Sequence, residues 1–177
     1  MAVLRRHWLS MYIMAGSPNA SSEQLRKLAS TSLDKIRLRV AENQNAPIDI
    51  LETLSSDPSH DVRVAVATNP STPRQLVEKL AQDNDIVVRH GLAQDIGTPI
   101  AVLNQLSQDE NGWVNGEARK TLHILATWSE KQLSDKREAM RIRKRSIQRR
   151  FERKLRQKDE VSQFFSATPL SRHAGTS

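Results

Sequence analysis

The stretch DVRVAVATNPSTPRQLVEKLAQDNDI, residues 61–86, decides the fold because its pattern returns at a fixed interval. Val62-Arg63 is preceded 26 residues earlier by Ile36-Arg37 and followed by Val88-Arg89 and then Val114-Asn115. Val66-Ala67 falls on Val40-Ala41 and Leu92-Ala93, and Asn69 on Asn43 and Asp95. Pro73 falls on Pro47 and Pro99, while Leu28, Leu54, Leu80 and Leu106 share a column without a gap. A period in this range marks stacked units, each unable to bury its apolar face alone.

Within one unit, Val62, Val64, Ala65 and Val66 form a short apolar element that ends near Asn69-Pro70. Thr72 reads as the N-cap and Pro73 as the first position of a second helix, whose Leu76, Val77 and Leu80 share one face. Gln82-Asp83-Asn84-Asp85 then returns the chain. About five units begin near residues 10, 36, 62, 88 and 114. The first is partial, with Met14-Ala15-Gly16-Ser17-Pro18 landing on Val66-Ala67-Thr68-Asn69-Pro70. The last loses the prolyl turn after Leu122, as a terminal cap does.

The Asp-x4-Val-Arg columns and the Val-Ala-x-Asn-x-x-x-Pro lines (Val40 to Pro47, Val66 to Pro73) resemble leucine-rich repeat variant units, relatives of HEAT and armadillo repeats, over roughly residues 10–122. The resemblance implies an all-α, right-handed superhelical solenoid. That family's iron–sulfur module has no counterpart in a chain without cysteine.

Composition narrows the chemistry. The absence of cysteine excludes disulfides, thiolate catalysis and zinc–thiolate sites. The five histidines (His7, His60, His90, His123, His173) include no pair at i, i+4, so no metal site is expected, and no cofactor or catalytic residue is assigned. No apolar run approaches the roughly 20 residues of a membrane span. Arg5-Arg6 and the apolar residues after them imitate an export signal, but the repeat register claims them, and a cytoplasmic location is the expectation. A HEAT-like DNA glycosylase would need a carboxylate–aromatic cluster, and only Trp113 near Asp109 offers one; Trp8 and Trp128 lie at the ends.

Two charged patterns remain. Arg37, Arg63 and Arg89 could track phosphates, yet Asp57, Asp83 and Asp109 recur in step with them, and a structural ladder tying adjacent loops is the stronger reading. Asn43, Asn69 and Asp95 read as turn and capping residues. The second pattern carries the whole net charge. Residues 130–160 hold 13 basic and 6 acidic side chains, which is the chain's +7. No proline or glycine interrupts 117–168, so a long helix is expected over 129–160, after a solenoid over 1–128 and before a small polar tail over 161–177 expected to be disordered. Leu133, Met140, Ile147, Phe151 and Leu155 form its thin apolar stripe.

Arg141, Arg143, Lys144, Arg145, Arg149, Arg150, Arg153, Lys154 and Arg156 cover the rest of that helix, and arginine favours bidentate contact with phosphate. Three uses compete: nucleic-acid phosphates, a protein partner or a second copy paired along the stripe, and an anionic membrane surface. No base-reading motif is present, so only non-specific DNA or RNA association is supported. A protein partner is expected on the solenoid surface.

Overall fold

A computed structural model of the chain describes residues 2–128, 132–142, 145, 146, 149 and 153. Nine named helices fall among the described residues: α1 (Ala2–Ala15), α2 (Ser22–Ala29), α3 (Asp34–Ala41), α4 (Ile48–Leu54), α5 (His60–Ala67), α6 (Arg74–Leu80), α7 (Ile86–Gln94), α8 (Ile100–Leu106) and α9 (Gly112–Thr127). Residues 132–142 are also helical, and no strand occurs among the described residues. Helices α3, α5, α7 and α9 start 26 residues apart, as do α2, α4, α6 and α8. The repeat in sequence is therefore a repeat of helix pairs, and the all-α solenoid reading holds.

The odd-numbered helices form one layer, each packed on the next from α1 to α9. The even-numbered helices flank it: α4 touches α3 and α5, and α8 touches α7 and α9. The columns explain why this stacks. Ile36, Val62, Val88 and Val114 are all fully buried, and so are Val40, Val66, Leu92 and Ala118 one turn later. From the other layer Leu28, Leu54, Leu80 and Leu106 enter the same core. Each buried Val or Leu contributes about 1.5–3 kcal/mol, but only when a neighbouring unit covers it. Gly91 marks the tightest approach: a Cβ there would lie 2.9 Å from Val64 Cγ1, so α7 presses directly on α5.

Helix starts differ in detail from the sequence expectation. Pro47, Pro73 and Pro99 occupy the N-cap positions, with φ near −58°, −58° and −56°, and helices α4, α6 and α8 begin one residue later. Thr72 is not the cap. Its hydroxyl donates to Val66 O at 2.6 Å, as Thr98 donates to Leu92 O at 2.8 Å, tying each loop back to the odd helix before it. The Thr side chain thus satisfies a helix C-terminal carbonyl while proline sets the direction of entry. Asp85 and Asn111 cap α7 and α9 by accepting from Val87 N and Trp113 N. In the last unit α9 runs unbroken to Thr127, where the prolyl turn would otherwise have fallen.

A ladder of amides joins the loops on one side of the stack. Asn43 Nδ2 donates to Ala15 O and Ser17 O at 2.9 and 3.0 Å, and Asn69 Nδ2 to Ala41 O and Asn43 O at 2.6 and 2.9 Å. Both amide oxygens accept the backbone N–H two residues on. Asp95 keeps that last bond, from Gly97 N at 3.0 Å, but a carboxylate has no N–H for the preceding loop. Thr121 resumes the ladder by donating to Ala93 O at 2.6 Å. Restoring the missing amide with Asp95→Asn is predicted to raise stability by about 0.5–1.5 kcal/mol. A urea midpoint that stays put or falls in that variant would count against the rung.

Candidate functional site

The arginine and aspartate columns meet in a second ladder on the opposite loops. Arg37 grips Asp57 through Nε and Nη2 at 2.6 and 3.0 Å, Arg63 grips Asp83 at 2.8 and 3.1 Å, and Arg89 grips Asp109 at 2.7 and 3.2 Å. Each aspartate lies 20 residues after its arginine, at the far end of the same 26-residue unit. The third guanidinium nitrogen reaches the other way, to the backbone oxygen six residues earlier: Thr31 O, Asp57 O and Asp83 O. Each aspartate also accepts the N–H two residues on, from Ser59, Asp85 and Asn111. Asn115 ends the series, donating to Asp109 O at 3.0 Å. All three arginines are at least 85% buried, which commits their donors to this spine and leaves them unavailable to phosphate.

Protonation follows from that setting. Burial raises the Asp57 and Asp83 carboxyls, but the guanidinium hydrogen bonds, backbone N–H groups and nearby positive charges outweigh it and hold both below the ordinary carboxylate range. Asp109 is held down chiefly by its hydrogen bond from Arg89. A carboxyl whose pKa is lower folded than unfolded binds more protons when unfolded. Its contribution is then complete above the unfolded value of about 4 and is lost as pH falls through the folded values. Stability should be level from pH 7 to about 5 and drop below about pH 4. A urea-midpoint series flat through that lower window would show that the three pairs contribute nothing.

The basic segment is placed less completely. Arg141, Arg145, Arg149 and Arg153 are described as helical and exposed, one at every fourth position. The side chains of Arg143, Lys144, Arg150, Lys154 and Arg156, and of the stripe residues Ile147, Phe151 and Leu155, lie outside the described residues. Leu133 is half-buried and Met140 is exposed. The segment is tied to the stack at its start, where Arg137 Nη2 donates to Ile96 O at 3.1 Å and Lys136 Nζ sits 4.7 Å from the Trp128 ring centre. Arg141 lies 3.9 Å from Glu138, a contact too loose and exposed to hold it. Spacing of four residues puts the Cα atoms of successive arginines about 6 Å apart along a helix axis, near one face.

Trp113 and Asp109, close in sequence, do not come together as a pair. The indole ring centre lies 5.9 Å from His90, whereas Asp109 is occupied by Arg89, so the carboxylate–aromatic pairing does not form. Among the described residues no group of three or more His, Asp or Glu is arranged to hold a metal ion. Nor is any described helix long and apolar enough to cross a membrane.

The stacked helix pairs with repeating Arg–Asp and Asn spines define a helical-repeat scaffold. Residues 60–85 match the family model of the leucine rich repeat variant, from the first residue of α5 to the cap of α7, which is one complete unit. No curated protein and no solved structure matches the chain.

Proposed function

We propose that this is a non-enzymatic, cytoplasmic adaptor or regulatory protein that associates with DNA or RNA through its basic C-terminal segment. The repeat surface holds a protein partner, and the segment acts as a unit distinct from the solenoid over 1–128. One observation carries the reading: Arg141, Arg145, Arg149 and Arg153 stand exposed in helical conformation, whereas Arg37, Arg63 and Arg89 are committed to aspartates. Exposed guanidinium groups displace condensed counterions and give salt-sensitive, sequence-independent affinity. The stack supplies a rigid frame on which that affinity can be directed.

The experiment is fluorescence anisotropy of labelled duplex DNA and RNA with the full chain across a salt series. A log–log slope of about −4 to −7 fits roughly five to eight neutralised phosphates at about 0.9 each. Absence of binding at low salt would reject nucleic acid and favour the rival reading, a protein-interaction scaffold whose basic segment meets an acidic partner. The exposed Met140 beside those arginines supports that rival.

A further inference from the structure

The N-terminal halves of α7 and α9 expose three large apolar side chains together: Ile86, Val87 and Trp113, with Trp113 75% exposed. Val87 and Trp113 occupy the same repeat column, and the His90 ring lies tilted beside the indole. A Cβ added at Gly112 or Gly116 would meet nothing within 4 Å, so the surface at these two positions beside Trp113 is open. Glycine weakens a helix by about 1 kcal/mol, and at Gly116 no packing need explains it. Isolated exposed apolar residues are ordinary, but a cluster centred on tryptophan has the composition of an interface core.

Charge identifies what such a face accepts. From Ala81 to Thr127, the end of α9, there are six acidic and three basic residues, a formal −3 in a chain whose total is +7. Asp83 and Asp109 are neutralised within the ladder by Arg63 and Arg89, and Glu117 pairs with Lys120 at 2.9 Å. Asp85 immediately precedes Ile86, its carboxylate 3.3 Å from His60 and 3.8 Å from an Arg63 already engaged by Asp83, and Glu110 lies exposed three residues before Trp113. The patch is therefore an apolar centre with a carboxylate border. Its complement is an apolar centre with an arginine border, and this chain carries one. Met140 and Ile142, 52% and 56% exposed, are set among Arg137, Arg141 and Arg145.

We infer that the Ile86–Val87–Trp113 face receives the Met140–Ile142 segment of a second copy of this chain. Among the described residues neither half of the match is taken up by its own chain, and Trp113, Met140 and Ile142 all stand open. Each copy offers one face and one segment, so mutual exchange closes as a two-fold dimer. Trp113 supplies the anchor: its ring packs on the apolar pair and attracts a flanking guanidinium through the π face. The border charges set orientation and make the dimer salt-sensitive.

Sedimentation velocity of the full chain over a concentration series tests this, with Trp113→Ala and the quadruple Arg141→Glu, Arg145→Glu, Arg149→Glu, Arg153→Glu beside the parent. The expected result is a concentration-dependent dimer that weakens about thirtyfold or more in each variant, as loss of an anchor residue does. All substituted side chains are exposed, and unchanged helical circular dichroism verifies that the variants fold. A parent that stays monomeric at every concentration overturns the inference. So does a dimer that survives Trp113→Ala, or one lost in that variant yet retained in the arginine variant, which would mean two faces meet each other. The nucleic-acid reading is judged separately, because Trp113→Ala leaves every arginine in place.

Discussion

Arg63→Ala is expected to cost about 3–5 kcal/mol, a large fraction of the roughly 5–15 kcal/mol a folded domain possesses. The substitution removes two hydrogen bonds to Asp83 and one to Asp57 O. More costly than the missing bonds is what stays behind: a largely buried carboxylate facing no cation, in the middle of the array. Arg37 and Arg89 belong to rungs nearer the ends, where a unit can fray without exposing core on both sides. Arg63 ties its own unit to the one before it through Asp57 O, so its removal loosens the stack at mid-array, between parts that each retain only part of the core. Chemical denaturation of Arg63→Ala, Asp83→Ala and the double variant measures the pairing. The double variant should be destabilised much less than the two singles summed, because it leaves no unpaired charge. A single-variant effect below about 1 kcal/mol would show that the spine is ornamental and that Val62, Val66 and Leu80 hold the stack unaided.

What could be read from sequence and what could not divides along physical lines. The columns of valine and leucine were legible because burial in a stack depends only on period, and the buried set (Val62 with Ile36, Val88 and Val114) follows that period. The two ladder columns were equally visible, but their partnership was not. Arginine and aspartate lie six residues apart in sequence, whereas the ionic contact runs 20 residues forward and the six-residue relation is to a backbone oxygen. Such an offset comes from how the two helices of one unit fold back on each other, which no local pattern contains. Thr72 and Pro73 show a smaller failure. Both residues suit a helix start, and the choice between them turned on whether the hydroxyl looked forward to α6 or back to Val66 O. The exposure of Trp113 is legible in its column, which holds Lys35, Asp61 and Val87, because a column with two charges in it is a surface column.

Reversing Arg141, Arg145, Arg149 and Arg153 to glutamate should weaken binding to DNA and RNA by about a thousandfold at moderate salt. Each phosphate contact contributes nearly one power of ten in affinity per tenfold dilution of salt, through the counterions it releases. If each of the four arginines meets one phosphate, as proposed, their removal should flatten the slope by about 3–4, and the four new negative charges repel the backbone besides. The buried arginines make the comparison sharp. Because Arg37, Arg63 and Arg89 already satisfy aspartates, the stack has no second row of guanidinium groups to compensate. The reversed side chains are exposed, so helical content and urea midpoint should match the parent. Undiminished affinity in a folded variant would remove the basic segment from the mechanism. A fall in affinity equal for duplex DNA, single strands and RNA would agree with binding to phosphate alone. A fall confined to one of them would instead mean that the segment reads shape or exposed bases, which four evenly spaced arginines have no means to do on their own.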